Sequence, residues 1–253
     1  MSEMATDRLF IRRYGSGERA FVGLHGWNGT HRTFEPLALH LPDDSSLYAL
    51  DLPGYGRSPL PARWSLDEVV GRIESSLRDV GIGRYSVVGS CSGAVLGLAL
   101  ASRPNATVDR VCLLEPFAFI PWYLRLLLTP LIGRLFYWSS FGTRIGRWVT
   151  NEALAGKRDS HTNMMASFAD TSIEVPYRYL HIFRSLEDEA SLGEVSASKI
   201  LVHAEKTFDA VRLSVERWKE RWPSAETVEM PGAGHFLIED ATERLADVLF
   251  RRR

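Results

Sequence analysis

The stretch Val87-Val88-Gly89-Ser90-Cys91-Ser92-Gly93-Ala94 carries an apolar strand into Gly-x-Cys-x-Gly and then straight into a helix-forming run. A strand-to-helix turn this tight leaves no room for side chains two residues before and after its apex, and Gly89 and Gly93 meet that demand. The turn lifts the Cys91 side chain clear of the sheet, and the helix behind it aims its first N–H groups at a reacting oxygen. The dipole of that helix also favours an anion at the sulfur.

Outward from this turn, short apolar runs alternate with segments of helical period, the pattern of a mainly parallel sheet covered by helices. Strands are predicted over Ala20–Leu24, Ser46–Leu52, Tyr85–Gly89, Arg110–Leu114, Lys199–His203 and Glu226–Met230. Helices are predicted over Thr33–His40, Ser65–Val80, Ser92–Ser102, Asp209–Arg221 and Ile238–Arg251, the second opened by the capping pair Ser65 and Glu68. A further strand near Asp7–Tyr14 is expected to pair antiparallel at the sheet edge. The whole chain, 1–253, reads as a single domain.

Three more motifs fall into line with the turn. His25-Gly26-Trp27 follows the strand ending Phe21-Val22-Gly23-Leu24, where a backbone N–H from Trp27 would face an oxyanion together with that of Ser92. His25 itself is read as a structural imidazole that ties down its loop. Asp51-Leu52-Pro53-Gly54-Tyr55-Gly56-Arg57-Ser58 ends another strand with a glycine-punctuated turn, and Gly232-Ala233-Gly234-His235 follows the last strand. As a set, in this order and spacing, these motifs resemble the lid-bearing branch of the α/β-hydrolase superfamily over nearly the whole chain, with Cys91 in the place usually held by serine. The resemblance implies an α/β fold with helices on both faces of a mostly parallel twisted sheet, Cys91 as nucleophile and His235 as its base.

The third member departs from the family pattern. Where relatives carry an Asp in a turn after the strand Ile200–His203, this chain has Ala204-Glu205-Lys206-Thr207. Two acids are weighed for the vacancy. Glu115 ends the very apolar run Leu113-Leu114, a costly position for a carboxylate without a partner, and dehalogenase-like relatives place their acid there. Asp209 is the alternative if its loop shifts, with Glu205 a weaker third choice. Either acid would orient His235 through Nδ1.

From Glu115 to about Ala190 the strand rhythm stops, and Leu, Phe, Trp and Tyr broken by Pro and Gly suggest a helical lid inserted over about 116–190. Phe117, Trp122, Tyr123, Tyr137 and Trp138 are the candidates for an apolar pocket beneath it. A Cys–His pair under such a lid points to an esterase or thioesterase acting on a small-molecule apolar acyl substrate through an acyl-cysteine; polyhydroxyalkanoate synthases and dienelactone hydrolases are similar in the elbow alone, where they too place a Cys. An acyltransferase or cyclase using the same intermediate is the alternative.

Composition narrows the rest. With Lys+Arg 30 against Asp+Glu 31, a net charge of -1 implies no nucleic-acid partner. Two cysteines make no disulfide framework or metal motif, and Cys112, in Arg-Val-Cys-Leu-Leu, reads as a buried apolar residue. No metal or cofactor is expected. The apolar stretch 115–149 is interrupted by Pro116, Pro121, Arg125, Pro130 and Arg134, so stable membrane insertion is not expected, and a cytoplasmic protein is.

Overall fold

The computed structural model describes residues 8–157, 165, 172–184 and 194–251. Seven strands form one sheet, β1 Ile11–Gly15, β2 Arg19–Leu24, β3 Ser45–Leu50, β4 Arg84–Ser90, β5 Thr107–Leu114, β6 Ser198–Lys206 and β7 Glu226–Gly234, in the order β1-β3-β2-β4-β5-β6-β7. Only β1 runs antiparallel, pairing with β3 as the sequence pattern predicts; its register runs from Ile11 opposite Leu50 to Gly15 opposite Ser46. Asp7, at the start of the predicted edge strand, lies outside the described residues.

Alternation along the strands builds two cores, because successive side chains point to opposite faces. Val22, Leu24, Val87, Val111, Leu113 and Leu201 face one side, where α2 (Leu66–Asp79), α3 (Ser92–Ala101) and α8 (Asp209–Arg221) bury Ile73, Leu96 and Trp218. Phe21, Val88, Cys112, Leu114, Ile200 and Val202 face the other, against Leu37 of α1 (Glu35–Ala38), Leu237 of α9 (Leu237–Asp240) and Leu249 of α10 (Thr242–Phe250). Cys112 is thus packed as an apolar residue within a strand.

The helix starts follow local chemistry. Ser65 Oγ accepts the Glu68 N–H at 3.2 Å and opens α2. The predicted helix over Thr33–His40 is instead a tight 3₁₀ turn, His31–Phe34, followed by the short α1. The predicted helix over Ile238–Arg251 breaks at Ala241, whose φ of -142° separates α9 from α10. Between β5 and β6 the described residues form α4 (Trp122–Leu127), α5 (Gly133–Tyr137), a π-helical turn over Trp138–Gly142, α6 (Arg144–Ala153) and α7 (Glu174–Arg184). Within the lid predicted over about 116–190, residues 158–164, 166–171 and 185–190 lie outside the described residues.

Candidate active site

Each of the six parallel strands delivers a polar or ionisable side chain in the position directly after its last residue: His25 after β2, Asp51 after β3, Cys91 after β4, Glu115 after β5, Thr207 after β6 and His235 after β7. The carboxyl ends of parallel strands are where open α/β sheets gather their chemistry. Register makes two of them neighbours. Ser90 pairs with Leu114, so the next residues, Cys91 and Glu115, leave the sheet side by side.

Both leave it in the left-handed region, with φ of 53° at Cys91 and 52° at Glu115. A side chain there is strained, and each backbone is held by one more rung of the ladder. The Cys91 N–H donates to Leu114 O at 2.7 Å, and the Glu115 N–H to Val202 O at 2.8 Å. The glycines around Cys91 are sterically required. A Cβ on Gly89 would lie 2.5 Å from Ala94 Cα, and one on Gly93 would lie 2.1 Å from Leu24 O.

Glu115 is fully buried, and its carboxylate is saturated with donors. Oε1 accepts the Ala204 N–H at 2.6 Å. Oε2 accepts both the Thr207 hydroxyl and His235 Nδ1, the latter at 2.6 Å. On its far side the His235 ring is hydrogen-bonded to Cys91. Burial alone would lower the His235 pKa, but the hydrogen bonds and negative charges of Cys91 and Glu115 outweigh it and raise the pKa to about 10. The ring is walled by Phe208, with centroids 4.8 Å apart, and by Phe117 and Phe236. Its loop is fixed by the His235 N–H donating to Lys157 O at 3.0 Å, while Lys157 Nζ donates to Thr207 O at 2.8 Å.

The other two acids do not reach His235. Asp209 begins α8 with its side chain 90% exposed and lies 3.8 Å from Lys157 Nζ. Glu205 accepts the Gly232 N–H at 2.6 Å and so braces the histidine loop from its other end.

His25 is bound differently. Its Nδ1 contacts Gly26 O at 2.8 Å, and Nε2 accepts the Leu52 N–H at 3.1 Å, which sets the Nδ1–H tautomer. Burial lowers its pKa to about 4. Asp51 is fully buried and accepts the backbone N–H groups of His31 and Arg57, at 2.7 and 2.8 Å, together with His31 Nδ1 at 2.8 Å.

A cavity of about 80 Å³ opens beside Cys91, with Trp27 and Ser92 in its wall and Phe117, Ile120, Leu180 and Trp218 among its apolar lining. Of the predicted pocket residues, Phe117 is there. Tyr123 stands near enough to feel the charge of Cys91; burial first, and then that charge, raise its pKa to about 12. Trp122, Tyr137 and Trp138 do not line the cavity. Tyr137 is turned into a separate aromatic cluster with Trp27, Phe141 and Tyr177, its hydroxyl donating to Ile173 O at 3.0 Å, and Trp122 and Trp138 face outward. Sequence reading missed Ile120, Leu180 and Trp218, which look like ordinary helix and loop apolar residues, and it missed Lys157, whose bonds are made by backbone and chain-end contacts no motif encodes.

Among the described residues no group of three or more His, Cys, Asp or Glu side chains is arranged to hold a metal ion. No helix among them is long and apolar enough to cross a membrane.

Comparison with known proteins gives this geometry a context. A family model described as "Alpha/beta hydrolase family" matches residues 21–248. The chain is 24% identical over 249 residues to a pimeloyl-[acyl-carrier protein] methyl ester esterase of Nitrosomonas europaea, covering 90% of this chain and 92% of that one. It is 36% identical over 109 residues to the lipase LipV of Mycobacterium tuberculosis, but this match spans only 43% of this chain and 41% of the lipase. Among solved structures, an esterase of Exiguobacterium antarcticum superposes with a TM-score of 0.79 at 15% identity, covering 95% of this chain and 93% of the other. An enol-lactonase of Burkholderia xenovorans does so with 0.78 at 16%, covering 95% and 94%. At such identities these two structures speak to the fold alone.

Proposed function

Because this chain belongs to the alpha/beta hydrolase family, we propose that it is an esterase or thioesterase for apolar acyl groups that works through an acyl-Cys91 intermediate. The observation that carries this reading is the unbroken hydrogen-bonded line from Glu115 through His235 to Cys91, ending at the wall of an apolar cavity. The esterases and the lipase among its relatives favour carboxylic esters as the substrate class.

In this reading the Cys91 sulfur adds to the carbonyl carbon of the bound acyl group. The oxyanion that forms is held by the backbone N–H groups of Trp27 and Ser92; one such donor is worth about 2.7–4 kcal/mol of barrier. His235, its pKa raised by its hydrogen bonds to Cys91 and Glu115, gives its Nε2 proton to the departing alcohol or thiol as the tetrahedral species collapses to the Cys91 thioester. Having given up that proton, the ring is neutral and takes another from the water that attacks the thioester; the second tetrahedral species then breaks its bond to the Cys91 sulfur and releases the carboxylic acid. Glu115 keeps the ring oriented and stabilises its positive form at each turn. The layer of α4, α5, α6 and α7 acts as a lid, and Phe117, with the apolar cavity wall, receives the acyl chain while Tyr123 closes the sulfur's side.

A panel of acyl esters and thioesters of graded length, with mass detection of the adduct, tests this. A mass increase on Cys91 equal to the acyl group is expected, together with a burst of product. Cys91→Ala should lower turnover by roughly 10⁵-fold or more while the protein stays folded. Retained turnover in that variant would reject the nucleophile. Product formation only when an amine or thiol acceptor is added would replace hydrolysis by acyl transfer.

A further inference from the structure

The layer formed by α4, α5, the π-helical turn and α6 is apolar on both of its sides. Leu127, Leu128, Tyr137 and Phe141 point inward and form a core with Ile120 and Leu180. The outer side is just as apolar. Of the fourteen large hydrophobic residues exposed on the described surface, eleven fall within Trp122–Val149. Leu131 is 98% exposed at a turn it enters with φ of 69°, and Leu135 and Phe136 follow on α5. On α6 no residue is buried, and Ile145, Trp148 and Val149, spaced to share one helix face, lie 76%, 66% and 52% exposed. A run of exposed large apolar side chains of this kind marks a docking surface.

Charge decides what docks. Between Glu115 and Glu152 the chain has four arginines, Arg125, Arg134, Arg144 and Arg147, and no acidic residue. With a formal net charge of -1 for the whole chain, the remainder carries -1 minus +4, or -5. The near-neutral total therefore hides a cationic apolar face on an acidic body. A second copy brought face to face would set arginines against arginines. Arg134 is partly offset by Glu174 of α7, 3.3 Å away, while Arg125 and Arg144 are exposed.

We propose that this face lies on an anionic phospholipid bilayer, with the Leu, Ile and Trp side chains of Leu131–Val149 sunk into the interface and the arginines at the phosphate level. The orientation is peripheral, because no described helix is long and apolar enough to span a bilayer. It also brings the cavity beneath the layer close to the membrane, the phase in which long apolar acyl esters reside.

Co-sedimentation with vesicles of phosphatidylcholine alone, and of phosphatidylcholine and phosphatidylglycerol in equal parts, tests the surface without relying on turnover. The protein should pellet with the anionic vesicles, with a blue shift of its tryptophan emission, and be released by high salt. Leu131→Glu with Trp148→Glu should lower the partition coefficient by about 100-fold. The exposed-site variant Arg144→Gln, which leaves packing untouched, should lower it about fivefold. Circular dichroism and thermal midpoints establish that the variants are folded. Equal pelleting with both vesicle types, no pelleting, or a dimer in light scattering that the same substitutions dissolve would each overturn the proposal.

Discussion

His25 and His235 sit at the same edge of the same sheet, one directly after β2 and the other directly after β7, both nearly shut off from water. Their protons behave oppositely, with pKa values of about 4 and about 10. Burial acts on both in the same direction, against the charged ring. What separates them is the partner. His25 spends its two nitrogens on neutral backbone groups of its own and the neighbouring loop. His235 spends its two on Glu115 and Cys91, both able to carry negative charge. One half of the sheet edge therefore holds an imidazole neutral as a peg, and the other holds one in its protonated form.

The largest break in this comparison should come from Glu115→Gln, which keeps the shape of the side chain and removes its charge. Turnover is expected to fall roughly 10³–10⁴-fold, since an amide no longer enforces the ring tautomer or stabilises the imidazolium. Asp209→Asn serves as the internal contrast and should stay within about twofold, because an exposed carboxylate near Lys157 is worth little. Steady-state kinetics on both variants check this, and comparable losses in the two would mean that the acid is misassigned.

The two rings also predict the pH behaviour. His25 is held neutral in the fold, so the unfolded chain binds the extra proton and stability rises as pH climbs from about 4 to 6.5. His235 keeps its proton in the fold, so its contribution is complete below about 6.5 and is lost as pH rises towards 10. Urea melts across this range, with imidazole NMR shifts assigned to each ring, separate the two limbs. Glu115→Gln should flatten the upper limb and leave the lower one untouched.

How much of this could be read beforehand depends on whether a residue's role is fixed locally. The turn at Cys91 was legible because Gly89 and Gly93 are steric necessities with a sequence signature. Glu115 was legible through cost, as a carboxylate closing an apolar strand, although the sequence alone left Asp209 in contention. The outer ends of β6 and β7 were not. Their last pairing, Lys206 with Gly234, comes after a register shift that no local pattern announces, and the break at Ala241 has no Gly or Pro to mark it. Trp122, Tyr137 and Trp138 were assigned to the pocket because short helices this rich in apolar residues give little sign of which side faces inward. That same ambiguity hid the exposed patch.

Thr207 offers the finest adjustment of the contrast between the two rings. It occupies the position after β6 where the family resemblance leads one to expect an acid, and here its hydroxyl, fully buried, donates to the same Glu115 oxygen that holds His235 Nδ1. Glu115 supplies the charge from β5, and Thr207 after β6 supplies a donor that fixes where the charge sits. Thr207→Val keeps the volume and removes the donor, leaving Glu115 to be steered by the Ala204 N–H and the histidine alone. A net loss of about 1–1.5 kcal/mol in transition-state stabilisation, or roughly tenfold in kcat, is expected with KM nearly unchanged. Thr207→Ser, which retains the hydroxyl, should recover most of it. If Thr207→Val and Thr207→Ser are equally impaired, the residue contributes by packing its methyl group, and the donor assigned to it is not what holds the carboxylate in line.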